Sequence, residues 1–98
     1  MNIKFNDHLV LVTGAAQGIG RATAERFKAA RARLHLLDID EAGIVTTASK
    51  IGENYSAVDL GDHKAVATCM LHIEAKHGPI SVLAHAAGGV RGQVGKSI

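Results

Sequence analysis

The sequence predicts an α/β domain: a parallel, doubly wound sheet with helices on both faces. Three observations carry that expectation. Four short apolar runs alternate with three longer stretches of helical periodicity, the pattern of βαβ units. A glycine-punctuated turn, Thr13-Gly14-Ala15-Ala16-Gln17-Gly18-Ile19-Gly20, joins the first run to the first helix. The core palette is Ala, Val, Leu and Ile, with Phe5, Phe27 and Tyr55 the whole aromatic set, which suits a sheet buried under helices.

Leu9-Val10-Leu11-Val12 is expected to form the first strand, β1, and Gly18 to Ala30 the first helix, α1. Leu34-His35-Leu36-Leu37 is β2, ending at Asp38. Asp40 is placed to cap α2, which reaches about Lys50 and stops at Gly52. Tyr55-Ser56-Ala57-Val58 makes a weaker β3, ending at Asp59. Asp62 caps α3, whose apolar stripe of Val66, Cys69, Met70 and Ile73 follows i, i+3, i+4, i+7 spacing. Gly78-Pro79 stops that helix, and Ile80 through Ala84 is β4. Right-handed crossovers, with a reversal after β3, give the strand order 3-2-1-4. The helices α1 and α2 then share one face, and α3 lies alone on the other. Residues 1–88 make up this partial domain, and 89–98 form a glycine-rich tail expected to be mobile.

Composition removes several function classes. The net charge is only +2, with both signs interspersed, so a nucleic-acid partner is not suggested. No apolar run approaches the length of a membrane span, and the N-terminus lacks the apolar stretch of a secretion signal. Cys69 is alone, which precludes an internal disulfide and fits a reducing compartment. A soluble cytoplasmic protein is expected. His72 and His77 are five apart on a helix and share no face, and no Cys/His cluster exists, so no metal site is expected. Cys69 reads as core, and Lys28, Arg31 and Arg33 as a basic, solvated helix end.

The glycine turn carries the chemistry. A strand that turns through glycines into a helix presents backbone N–H groups and the positive end of the helix dipole to a phosphate. Gly14, Gly18 and Gly20 alone also fit a tight turn that binds nothing. Asp38 adds context. It ends β2 about twenty residues beyond the last glycine, where a carboxylate accepts hydrogen bonds from adenosine ribose hydroxyls and repels a 2′-phosphate. A solvated strand end is the plainer reading of Asp38, and a helix cap that of Asp40.

With these residues in place, the chain resembles the N-terminal half of a short-chain dehydrogenase/reductase. The family's T-G-x-x-x-G-x-G pattern matches Thr13 through Gly20 without a gap. Its strand-end acid matches Asp38, and its Asp-hydrophobic pair beside the adenine ring matches Asp59-Leu60. Its N-N-A-G motif after β4 is met imperfectly by His85-Ala86-Ala87-Gly88. The resemblance implies a Rossmann-type fold and a dinucleotide cofactor. Its contacts would fall on Gly14, Gln17, Gly18, Ile19, Gly20, Asp38, Ile39, Asp59, Leu60, His85, Ala86, Ala87 and Gly88. Relatives that take NADP often carry a basic residue before the second glycine or after β2. Gln17 and Asp38-Ile39-Asp40 stand there, which implies NAD rather than NADP.

Three departures from the family pattern matter. Arg31 occupies a turn position that is usually glycine, because the chain needs a left-handed conformation there. A side chain costs about 1 kcal/mol in that geometry. His85 stands where an asparagine normally ties neighbouring backbone together, and imidazole lacks the amide's paired donor and acceptor. The family's catalytic Ser, Tyr and Lys, with Tyr and Lys spaced Y-x-x-x-K, have no counterpart here. Tyr55 is followed four residues later by Asp59, so no catalytic residue is assigned.

The resemblance thus implies the cofactor-binding half of an NAD(P)-dependent oxidoreductase that interconverts alcohols and ketones, in the manner of 3-oxoacyl carrier-protein reductases. A non-catalytic nucleotide-binding module, or an inactive truncated protein, is the alternative. With nothing beyond it, β4 is an apolar edge strand, and one sheet face carries a single helix. At about 25 cal/mol per Å2, a few hundred Å2 left exposed forfeits several kcal/mol. Self-association through the β4 edge or the bare face is therefore expected.

Overall fold

The strand β1 (Leu9–Thr13) is buried at all five positions, which is why its sequence is a continuous apolar run rather than an alternation. The structure, a computed structural model, describes residues 7–86. Ala87, Gly88 and the expected tail at 89–98 lie outside the described residues. Seven elements follow in strict alternation: β1, α1 (Gly18–Ala29), β2 (Arg33–Asp38), α2 (Glu41–Ile51), β3 (Asn54–Ala57), α3 (His63–His77) and β4 (Ile80–His85). The strands are all parallel and lie in the order β3-β2-β1-β4. The expected doubly wound α/β topology is therefore the observed one. β3 begins and ends one residue earlier than expected. Val58 instead donates its N–H to the Asp38 carbonyl at 2.9 Å, which ties the chain leaving β3 to the end of β2.

Alternate residues of the central strands point to opposite faces, and each face has its own core. Val10, Val12, Leu34 and Leu36 pack with Ala24, Phe27, Ile44 and Ala48 of α1 and α2. Leu9, Leu11 and Leu37 pack with Ile73, Cys69 and Met70 of α3. The second face is thinly covered. Ile73 is the one fully buried side chain of α3, and Leu83 on β4 remains 55% exposed.

Local chemistry sets the helix ends. Asp40 and Asp62 cap α2 and α3 by accepting the N–H groups of Gly43 and Ala65, each at 3.0 Å. Gly52 closes α2 in the left-handed conformation, with φ of 70°. Arg31, between α1 and β2, takes φ of 70° as expected, and carries the strain of that geometry without being glycine.

The basic cluster is not merely a solvated helix end. Lys28 pairs with Glu53, whose other oxygen accepts the Leu34 N–H at 3.1 Å. Arg33 donates to the carbonyls of His77 and Asp7, joining the end of α3 and the approach to β1 to the start of β2. Opposite charges and free carbonyls brought together by the fold absorb two of the three cations.

Candidate functional site

Parallel strands put all four carboxyl ends on one edge of the sheet, and the expected site residues gather there. The glycine turn leaves β1 at Thr13 and is anchored to the end of β2, where the Leu37 carbonyl accepts the Gly14 N–H at 2.8 Å. Gly14 has φ of 72°, and a Cβ on it would fall 2.3 Å from the Ala86 carbonyl oxygen. The turn therefore needs glycine here for both conformation and space. A Cβ on Gly20 would fall 1.7 Å from the Gly14 carbonyl oxygen, so the first turn of α1 lies directly on the glycine turn. Gly18 differs: its φ is 63°, and nothing lies within 4 Å of a Cβ built on it. Gln17, Gly18 and Ile19 form an exposed crest.

The start of α1 is chemically unlike the starts of the other two helices. Its N-cap residue, Gln17, has extended backbone and makes no side-chain capping bond. The leading N–H groups of a helix lack intrahelical acceptors and carry the positive end of its dipole. In α2 and α3 an aspartate meets that need; in α1 no residue of the cap does.

Asp38 stands half-buried beside this crest. Its carboxylate already accepts two backbone N–H groups, from Ala16 at 3.0 Å and from Asp40 at 2.9 Å. One bond reaches the glycine turn and the other the entry to α2, which fixes the carboxylate plane. Two oxygens offer about four acceptor sites, so room remains for hydroxyl donors. Ile39 is 64% exposed next to it. Asp59 caps the turn after β3 by accepting the Gly61 N–H at 2.9 Å, and Leu60 is half-buried against the second core.

At the end of β4, His85 bonds a side chain of β1 rather than neighbouring backbone. Its Nδ1 is 2.6 Å from Thr13 Oγ1, and the Ala86 N–H donates to the Thr13 carbonyl at 3.2 Å. The imidazole thus joins the carboxyl ends of β1 and β4 by a side-chain bond. Ala87 and Gly88 fall outside the described residues.

Two polar residues of this edge carry no sequence motif. Arg21 donates from Nη2 to the Ala16 carbonyl at 2.8 Å and from Nε to Thr47 Oγ1 at 3.1 Å. Thr47 is fully buried, and its hydroxyl is 3.3 Å from that same carbonyl. One signal was available. Thr47 interrupts the apolar stripe of α2 between Ile44 and Ala48, and a hydroxyl on a buried stripe needs a partner.

A further cavity lies elsewhere. A groove of about 730 Å3 runs between α3 and the β2–β3 side of the sheet, lined by His35, Ser56, Cys69, His72 and His77 among others. None of the glycine-turn residues touches it. His35 Nε2 lies 2.7 Å from Ser56 Oγ, which has the outline of a nucleophile and base. The rest of the pair argues against that chemistry. His35 Nδ1 is buried without a hydrogen-bond partner, so no third group orients the ring. Burial, with the charges of His77 and Lys76, lowers its pKa to about 4, far from a base poised for neutral pH. Among the described residues, no group of three His, Cys, Asp or Glu could hold a metal ion. No helix there is long and apolar enough to cross a membrane.

Comparison with known proteins agrees with the geometry. Residues 8–97 match the family described as short chain dehydrogenase. The chain is 40% identical over 97 residues to a Mycobacterium bovis protein named "Probable oxidoreductase EphD", covering 94% of this chain and 16% of that one. It is 34% identical over 82 residues to human 3-hydroxyacyl-CoA dehydrogenase type-2, covering 82% of this chain and 31% of the human protein. A solved short-chain dehydrogenase/reductase of the glucose/ribitol dehydrogenase type from Brucella melitensis superposes with a TM-score of 0.79 at 30% identity. That alignment covers 85% of this chain and 37% of the other. The chain therefore spans between 16% and 37% of the length of these three proteins.

Proposed function

The chain belongs to the short-chain dehydrogenase family, and on that premise we propose that it grips the adenosine and pyrophosphate of a nicotinamide dinucleotide, with NAD preferred over NADP. Members of the family bind such dinucleotides. The observation that carries the reading is the uncapped start of α1 on an open glycine crest, with a fixed carboxylate beside it. Free amide hydrogens and a helix dipole suit a diphosphate. The space beside Gly18 admits it. Asp38 suits the two ribose hydroxyls and repels a 2′-phosphate, and neither Gln17, Ile39 nor Asp40 offers a cation to offset that repulsion. Asp59 and Leu60 would border the adenine ring, and His85 with Ala86 would close the other side of the turn.

The bound dinucleotide would supply hydride chemistry between an alcohol and a ketone. What these residues contribute is binding and orientation, since the Ser, Tyr and Lys of the family pattern have no counterpart in this sequence. The exposed Leu83 and the unpaired outer edge of β4 among the described residues support a further contact, with a second copy of the chain or with more of the sheet. The lone Cys69 suits a reducing, cytoplasmic setting.

Calorimetric titration of the full chain with NAD, NADP and ADP-ribose tests the reading. ADP-ribose is expected to bind within about tenfold of NAD, because the contacts described stop at the pyrophosphate. NADP is expected to bind more weakly than either. Absence of ADP-ribose binding, or a preference for NADP, overturns it.

A further inference from the structure

The turn that faces the ligand is made of residues with little conformational preference of their own, so something else must hold its amides in place. Ala16, immediately before the N-cap residue of α1, is only 1% exposed. Both of its backbone groups are held by side chains from three different elements. Its N–H donates to Asp38 Oδ2 at the end of β2. Its carbonyl accepts from Arg21 Nη2 on α1 and faces the Thr47 hydroxyl on α2. Arg21 Nε in turn donates to Thr47 Oγ1, so the two side chains at the Ala16 carbonyl are also bonded to each other. The approach of α2 is close. A Cβ on Gly43 would lie 2.9 Å from the Ala16 Cβ, so a larger residue there would push α2 away from the turn.

We propose that Arg21 and Thr47 are positioning residues for the dinucleotide, holding the Ala16 peptide so that the amides of Gln17, Gly18 and Ile19 are preset toward the diphosphate. The helix α2 thereby becomes part of the binding apparatus through Thr47. The assignment rests on the proposed cofactor site. It also gives Arg21 a role distinct from reading phosphate charge, because its Nε and Nη2 are committed inward to Thr47 and Ala16. Arginine suits the task, since one planar fork reaches two acceptors that a lysine ammonium at the same length could not hold in fixed geometry.

The test compares Arg21→Met, Thr47→Val, Thr47→Ser and Ile44→Val in the full chain. Ile44 is buried one turn earlier on α2 and has no part in the network, so it reports a simple packing loss. Arg21→Met and Thr47→Val are expected to weaken ADP-ribose binding about tenfold, the effect of mispositioning one hydrogen bond. Thr47→Ser, which keeps the hydroxyl, should bind as the parent does. Ile44→Val should lose stability in urea and keep its affinity. Independently of any ligand, amide exchange at Ala16, whose buried N–H is bonded to Asp38, should quicken in Arg21→Met and Thr47→Val but not in Thr47→Ser. Parental affinity and exchange in the first two variants overturn the proposal, as does an Ile44→Val loss of affinity equal to theirs. If the parent binds no ADP-ribose, the cofactor reading falls, and the exchange rates still decide whether the network orders the turn.

Discussion

Gly14, Gly18 and Gly52 share a left-handed backbone, with φ of 72°, 63° and 70°. Replacing each with alanine therefore carries a similar conformational cost, about 1 kcal/mol once the lost freedom of the unfolded chain is set against it. The surrounding space differs. A Cβ on Gly14 meets the Ala86 carbonyl oxygen at 2.3 Å, a backbone atom that moves only if the exit from β4 moves with it. Nothing lies within 4 Å of a Cβ on Gly18 or Gly52. Overpacking against a fixed neighbour adds about 1–3 kcal/mol. Gly14→Ala is thus expected to cost about 3 kcal/mol, and Gly18→Ala and Gly52→Ala about 1 kcal/mol each, within a total on the order of 5–10 kcal/mol for a domain this size. Urea denaturation reads these values directly. ADP-ribose titration then separates the two mild variants. Gly18→Ala places a methyl in the space proposed for the diphosphate and should lose about tenfold in affinity, whereas Gly52→Ala, at the far end of α2, should lose none. Equal stability losses for Gly14→Ala and Gly18→Ala would refute the steric argument. Equal affinities for Gly18→Ala and Gly52→Ala would refute the site.

Two further outcomes are expected. His35 is 7% exposed and its pKa is lowered from 6.5 to about 4, chiefly by burial and then by the charges of His77 and Lys76. The unfolded chain therefore takes up the proton first. Stability from this group is complete above about pH 6.5, falls as pH drops toward 4, and levels off below. The total change is on the order of 3 kcal/mol. Urea midpoints at pH 7.5 and 4.5 should show it, and His35→Leu should remove most of it; an unchanged pH dependence in that variant contradicts the assignment. Arg31→Gly relieves a left-handed arginine at φ of 70°, for a net gain of about 0.5 kcal/mol after the greater freedom of an unfolded glycine is counted. The melting temperature should rise by about 3 °C, and a fall would show that the Arg31 side chain does more than occupy the turn.

The pattern of apolar runs was enough to read the topology, because β1 and β2 are buried on both faces and a doubly buried strand leaves an unbroken apolar stretch. Asp40 and Asp62 were legible as caps, because an N-cap bond spans three residues and depends on little else. The left-handed position at Arg31 was legible only through the family resemblance, whose pattern has glycine there. Harder to read were contacts between distant segments. Thr13 and His85 meet across 72 residues of sequence, and their side-chain bond ties the carboxyl ends of β1 and β4. Lys28 and Arg33 read as solvent-facing, yet Glu53 and two free carbonyls reach them from other elements. Leu34-His35-Leu36-Leu37 read simply as a strand, with no sign that His35 would be buried beside Ser56 under the end of α3.

By itself, the order of residues determined the alternation of strands and helices, the place of the glycine turn, and the acid at the end of β2. These are consequences of short-range geometry: side-chain period, backbone freedom at glycine, and hydrogen bonds within a few residues. The tertiary structure alone decided how that turn is held. Arg21 on α1, Thr47 on α2 and Asp38 on β2 converge on the Ala16 peptide only after the two crossovers have brought their elements together. A hydrogen bond requires its partners within about 3 Å, and no local rule reports which segments of a chain will come that near.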